Sequence, residues 1–580
     1  MMVTVRRRAI ILRQGIAAGG RPPAYGAGAV GPGRRGRPRT GRREREDDEM
    51  RQLTALDAQF LSVESATTAA HVAGVAILDP STSPSGALTR EALLALLRER
   101  LHLAPPLRMR LADVPFGLDR PYWLDDPDVD LDAHVHETTL PAPGGERELA
   151  AYVAGAHARR LDRGQPLWEA HLIHGLEGGR CALYTKVHHC AIDGVSGSEI
   201  LTALLDPSPQ PRRVEAPPAP APASPQPPGL LAMLAGAITR SIVQPVETLC
   251  SLARAAADLD AIPVLAALPD ARLVAQAARA LAGDARPLPE TPPLVAPRTP
   301  FNGPISGERE VALGSVPLTE VRRVARAFGM GPNDVVMTLC ASALRRWLLA
   351  HDALPDRPLV AAVPVALRSQ RSPGTGGPPR DAADGRVGNR ISAMITPLAT
   401  DVASPGERLA AVRSALAAAK RRFAVSHRTW LDDVCAMVPN AFAALATPVV
   451  FRLAGVAGAG VNLIVSNVPG PRLPLYLCGA RMLAYHPLSV VTDATGGISI
   501  TCASYDGRLD FGVVACPTRL PDVRSVIGHL RESMDELLAL LDDSPDDPAP
   551  HDQAPHDHAA PVRPREEREE REEREEMVPA

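Results

Sequence analysis

Two adjacent histidines and a following aspartate–glycine pair form the densest chemistry in the chain. They lie in Lys186-Val187-His188-His189-Cys190-Ala191-Ile192-Asp193-Gly194. A neutral imidazole, with an ordinary pKa of ~6.5, can accept a proton near neutral pH, so general-base chemistry is open to either ring. The preceding residues predict what positions them. Leu167 to Ile173 reads as a strand, Gly178-Gly179 as a turn, and Cys181 to His188 as the returning strand of a hairpin. The histidines therefore sit at a strand end. Because side chains alternate along a strand, His188 shares a side with Tyr184 and Lys186, whereas His189 points with Leu183, Thr185 and Val187. One imidazole leads into any one site, and His189, on the more apolar side, is the candidate base. Asp193 falls in the turn that follows, Gly194 lets the backbone bend, and Ser196 to Leu205 begins a helix.

Other chemistries fit less well. The histidine pair diverges and is accompanied by neither Cys-x-x-Cys nor His-Glu-x-x-His spacing, so no metal site is expected there. No Gly-x-Ser-x-Gly elbow surrounds a serine, which argues against a hydrolase-type nucleophile.

The spacing His188-His189-x-x-x-Asp193-Gly194 resembles the HHxxxDG motif of CoA-dependent acyltransferases and of peptide-synthetase condensation domains. Further segments narrow the resemblance: Leu53 to Leu61, Pro166-Leu167-Trp168-Glu169, Phe301-Asn302, Asn333-Asp334-Val335-Val336, Gly388-Asn389-Arg390 and Ser466-Asn467-Val468-Pro469-Gly470-Pro471. In this order, over roughly residues 50 to 540, they resemble the bacterial wax ester synthase/diacylglycerol acyltransferase family. The resemblance implies an α/β fold of two chloramphenicol-acetyltransferase-like domains enclosing a central channel. It also implies esterification of an alcohol by a long-chain acyl-CoA, with diacylglycerol or a long-chain alcohol as acceptor. Acyl-CoA is then a substrate and no cofactor is expected.

Such a reaction needs a base because an alcohol is too weakly acidic to attack a thioester unless its proton leaves as the bond forms. A positioned imidazole typically supplies ~10²- to 10⁴-fold by this route. CoA thiolate leaves readily, so no acyl-enzyme is required. By resemblance, Asp193 holds the base loop through an arginine, for which Arg368 and Arg390 are both candidates, and His188 either orients its neighbour or packs. Ser466, Asn467 or the Pro469-Gly470-Pro471 backbone could donate to the oxyanion, and Gly194, Asn333, Asp334 and Arg368 are candidates for substrate binding or support. An amide-forming condensation enzyme and a non-catalytic lipid-binding protein of the same fold are the alternatives.

The rest of the chain sets the frame. Its 580 residues can hold two cores with tails, and a net charge of −3 gives no electrostatic reason for nucleic-acid binding. Eight cysteines without paired spacing suggest reduced thiols and a cytoplasmic setting, with peripheral attachment to the plasma membrane or lipid droplets open. Residues 1–49 are Arg-, Gly- and Pro-rich and read as a disordered extension, with Met50 a plausible start. The N-terminal domain spans 50–205. A Pro/Ala-rich linker and helical connection occupy 206–300, the C-terminal domain spans 301–543, and 544–580 is a charged disordered tail. Within the connection, Leu230 to Ile238 is shorter than a bilayer needs and could lie on a membrane or pack inward. A second hairpin is expected where Ile498, Ile500 and Cys502 alternate before Asp506-Gly507, and Leu509, Phe511 and Val513 alternate after it.

Overall fold

The computed structural model describes residues 51–192, 200–214, 271–283, 294–367, 389, 391–425, 430–436, 440–457, 460–471 and 473–542, with scattered positions between 229 and 270. Both termini, Asp193, Gly194, Arg368 and Arg390 lie outside the described residues.

The first half runs β1 (Arg51–Gln52), α1 (Ala55–Ser62), β2 (His71–Asp79), α2 (Arg90–Arg100), β3 (Met109–Ala112), β4 (Tyr122–Asp125), α3 (Leu131–His134), β5 (Val135–Thr139), α4 (Glu146–Ala158), β6 (Trp168–Leu176) and β7 (Arg180–His188). After α5 (Ala271–Ala282) come β8 (Glu310–Pro317), α6 (Leu318–Ala327), α7 (Pro332–Ala350), β9 (Leu359–Ala366), β10 (Ile391–Leu398), α8 (Pro405–Val425), α9 (Trp430–Ala436) and α10 (Asn440–Ala457). The chain continues through β11 (Leu463–Val468), β12 (Tyr476–Leu477), β13 (Ala480–Leu488), β14 (Ile498–Tyr505), β15 (Arg508–Ala515) and α11 (Val523–Asp542).

Two six-stranded sheets carry these elements. Sheet one has the order β12-β13-β2-β7-β6-β5 and sheet two the order β10-β9-β11-β14-β15-β8, so the architecture is mixed α/β with two sheet-rich halves, as expected. Both expected hairpins are present. The strands β6 and β7 pair antiparallel with Trp168 opposite Val187, and β14 and β15 pair from Ile498 opposite Ala515 to Tyr505 opposite Arg508. Asp506 and Gly507 close the second hairpin with φ of 40° and 77°, the left-handed conformation that a tight hairpin turn demands.

Sheet membership crosses the division drawn along the chain. β13, from the second half, adds to the edge of β2 in sheet one, with Tyr485 opposite Ala76 and Leu488 opposite Ala73. The same strand touches sheet two: the Tyr485 amide donates to Asp510 Oδ2 at 2.8 Å and the Tyr505 hydroxyl to the Met482 carbonyl at 3.0 Å. The halves are stitched by a shared strand, a pairing of residues about 400 positions apart that no local pattern announces.

Burial follows the period-two alternation expected of β7. Leu183 and Val187 enter a core formed with α1 and α2, while Ala182 and Tyr184 enter another beneath α4. That second core also takes Val311 and Leu313 from β8, so α4 is packed between sheet one and an edge strand of sheet two. In sheet two, α7 is buried on nearly every side, which its apolar run Val335 to Leu344 permits. In the 229–237 region, Met233 and Ala237 are buried with Val114, so these two residues of the apolar run pack inward.

Candidate active site

β7 ends at His188 and delivers the two imidazoles into different surroundings. His188 is 1% exposed. Its Nδ1 accepts the Cys190 amide at 3.1 Å, which places the ring proton on Nε2, and Nε2 lies 3.4 Å from Glu64 Oε1. Glu64 is buried too, and its carboxylate takes the Ala70 amide at 3.1 Å and Arg163 Nη2 at 2.8 Å. Burial alone would push this carboxyl up, but His188 and Arg163 outweigh it and hold the pKa down at about 2. His188 is thus committed on both nitrogens to holding the start of the loop.

His189 is half-buried, with its Nδ1 shielded from solvent. The Phe60 ring from α1 lies parallel to the imidazole at 4.0 Å between centroids and 9° between planes. Its backbone is pinned on both sides: the His189 N–H donates to the Ala70 carbonyl at 2.9 Å, and the His189 carbonyl accepts from Asn389 Nδ2. Asn389 is held in turn by Asp57, whose Oδ1 accepts the Asn389 side-chain amide at 2.7 Å and its backbone amide at 3.1 Å. Asp57 sits in the first turn of α1, where its own amide donates to the Thr54 N-cap hydroxyl at 3.1 Å. Burial pushes the Asp57 carboxyl up, against these hydrogen bonds.

The α4 face of β7 is polar and buried. Lys186 Nζ donates to the carbonyls of Ala156 and Arg159 at 3.1 and 3.0 Å and pairs with Glu169 Oε2 at 3.0 Å. His71, opposite His188 in the ladder, reaches the His157 carbonyl at 2.7 Å through Nε2. These contacts satisfy carbonyls at and just beyond the C-terminus of α4, where cations are favoured, and they tie β7 to that helix. Burial, then the neighbouring Arg309 and Lys186, lowers the His157 pKa to about 3, so this ring is neutral and bridges Tyr184 at 3.0 Å. His136, Glu169 and His171 bring possible ligand atoms within 4.8 Å of one another. The Lys186 ammonium already holds their carboxylate, however, and the group reads as an ion-pair network.

The remaining candidates divide. Asn333 and Asn467 meet, with Asn467 Nδ2 donating to Asn333 Oδ1 at 3.2 Å where β11 approaches the start of α7. Asp334 caps that helix, its Oδ2 accepting the Gly331 amide at 3.2 Å, which favours support over substrate contact. Ser466 is half-buried on β11 opposite Thr501. Sequence reasoning missed the roles of Phe60, Asp57, Glu64 and Asn389. Three of them lie in segments already singled out by resemblance, Leu53 to Leu61 and Gly388 to Arg390, but spacing could not show that these segments converge on His189.

Comparison with known proteins agrees with this architecture. The profile of the wax ester synthase/diacylglycerol acyltransferase catalytic domain matches residues 53–336, and that of the WS/DGAT C-terminal domain matches residues 387–538. A Mycobacterium tuberculosis H37Rv protein provisionally named a diacylglycerol O-acyltransferase is 34% identical over 501 residues, covering 86% of this chain and 92% of that one. A second from the same strain, named likewise, is 35% identical over 488 residues, covering 84% and 99%. Among solved structures, the wax ester synthase/diacylglycerol acyltransferase from Marinobacter aquaeolei VT8 superposes with a TM-score of 0.57 at 28% identity, covering 84% of this chain and 99% of that chain. With both domain profiles matched and relatives aligned over nearly their whole length, the chain belongs to the wax ester synthase/diacylglycerol acyltransferase family.

Proposed function

We propose that this acyltransferase moves a long-chain acyl group from acyl-CoA to the free hydroxyl of diacylglycerol, forming triacylglycerol, and that long-chain alcohols serve as second acceptors. His189 is the general base. Its imidazole takes the hydroxyl proton as the alcohol oxygen bonds to the thioester carbonyl carbon. The tetrahedral oxyanion then collapses, the carbon–sulfur bond breaks, and the imidazolium returns the proton to the CoA thiolate. No cofactor is needed, because the thioester already carries the activation.

The contrast between the two histidines supports this reading. His188 has both ring nitrogens directed at buried protein groups, whereas His189 is half-buried and its backbone is clamped by Ala70 and Asn389. A clamped, accessible imidazole suits a base whose alignment matters more than its mobility. His188, Glu64, Asn389 and Asp57 are positioning residues in this scheme, as is Asp193. Both substrates carry long apolar chains, so the protein works at a lipid surface, peripherally. No described helix is long and apolar enough to cross a membrane.

The test is incubation of purified protein with palmitoyl-CoA and either dioleoylglycerol or hexadecanol, following free CoA thiol and ester product together. Equal release of CoA and ester, abolished by His189→Ala, is the expected result. CoA release without ester, or undiminished turnover in the variant, would overturn the proposal.

A further inference from the structure

Helix α10 turns an apolar seam outward. Phe442, Leu445, Val449, Leu453 and Val456 recur at intervals of three and four residues, which places them along one side of a helix, and each is more than half exposed. The other side of α10 packs on α1, the helix that carries Phe60 to His189, and there the buried Thr447 donates to Gln59 Oε1 at 3.0 Å. A second feature adjoins it. The short 3₁₀ turn Pro115–Gly117 touches α10 and presents Phe116 at 90% exposure with φ of 59° and ψ of 13°. A left-handed backbone is unfavourable for a residue with a bulky side chain, and a ring standing in water gains no packing in return.

We propose that α10 and Phe116 form the face on which the protein rests against an anionic phospholipid bilayer holding its diacylglycerol acceptor. The inference builds on the acceptor class proposed above. Exposed apolar side chains at helical spacing, with a protruding aromatic beside them, match what an interfacial helix buries among acyl chains. The charge matches as well: between residues 440 and 457 the one charged residue is Arg452, exposed and cationic, and no acidic residue is present to be repelled by anionic headgroups. At 18 residues the helix is about 27 Å long, and with one side committed to α1 it lies along a bilayer rather than through it. The placement also serves the chemistry, because the same α1 packs against the inner side of α10 and carries Phe60 to the base.

The test uses the full chain and vesicles of about three parts phosphatidylcholine to one part phosphatidylglycerol, with a small fraction of dioleoylglycerol. Wild-type protein should co-sediment with them, and the double variant Leu445→Asp, Leu453→Asp should partition at least roughly tenfold more weakly, as should Phe116→Asp in the same direction. Turnover of the double variant on a short-chain diacylglycerol dissolved below its micelle concentration should stay within about twofold of wild type, while turnover on vesicle-held dioleoylglycerol falls with partition. Leu445→Trp gives a direct reading: brominated phospholipid should quench its added fluorescence. Unchanged partition of the double variant, absence of quenching in sedimented Leu445→Trp protein, or failure of wild type to bind vesicles would each overturn the proposal. So would a wild-type dimer that the double variant splits, which would assign the seam to a second copy of the chain. Failure of wild type to acylate the soluble acceptor would instead refute the acceptor assignment, whatever the vesicles show.

Discussion

Substituting each histidine of the pair separately should give opposite patterns of damage. His189→Ala removes a half-buried ring that stacks on Phe60. An aromatic pair of this kind is worth about 0.5–1.5 kcal/mol, so the melting temperature should fall by only a few degrees. Turnover should fall by about 10² to 10⁴, equivalent to about 3–5 kcal/mol of transition-state stabilisation, because the proposed base is gone. His188→Ala does the reverse. It leaves the buried Glu64 carboxylate with Ala70 and Arg163 but without the imidazole, strips the Cys190 amide of its acceptor, and opens space under β7. Losing the imidazole N–H beside a buried carboxylate costs about 1.5–3 kcal/mol, so this variant should melt below His189→Ala while keeping measurable turnover with an unaltered pH profile. Differential scanning calorimetry beside a CoA-release assay with saturating acyl-CoA reads both quantities. An active His189→Ala protein, or a fully stable but inactive His188→Ala protein, would mean that the roles of the two rings have been exchanged.

Asn389→Ala should lower kcat about 10- to 100-fold while leaving the KM for acyl-CoA within about twofold, since it frees the His189 carbonyl and one Asp57 contact without touching substrate; an equal rise in KM would place Asn389 in a binding site. Stability should decline on acidification in two stages. His157 is neutral in the fold, with its pKa lowered to about 3 from 6.5, so the unfolded state binds the extra proton and stability drops as pH falls from about 6.5 toward 3. Glu64, lowered to about 2 from 4.5, contributes stability that is full above about 4.5 and lost as pH falls through 2, on the order of 3 kcal/mol. Thermal melts across this range should therefore show a shallower decline between pH 6.5 and 4.5 for His157→Gln than for wild type; parallel curves would count against a neutral His157. Asp334→Ala removes a helix cap worth about 1 kcal/mol and should lower the melting temperature by a few degrees with turnover within twofold; a selective loss of turnover would assign Asp334 to substrate.

The elements nearest the site were legible because they are local. Gly178-Gly179 and Asp506-Gly507 mark tight turns between alternating apolar runs, and period-two alternation alone separates the face of His188 from that of Leu183 and Val187. The pattern of motifs likewise carried the family and the two-sheet α/β fold. What the sequence could not decide was which distant side chains meet. Glu64 against His188, Phe60 against His189 and Asp57 through Asn389 join residues from about 120 to more than 300 positions apart, and β13 crosses into the other half's sheet. Such pairings depend on how sheets and helices pack, and hydrophobic burial specifies that packing through the whole core rather than through any short motif. The sequence by itself determined that a histidine would stand at the end of this strand; the tertiary structure decided that His188 meets the buried Glu64 carboxylate and that His189 stacks half-buried on Phe60.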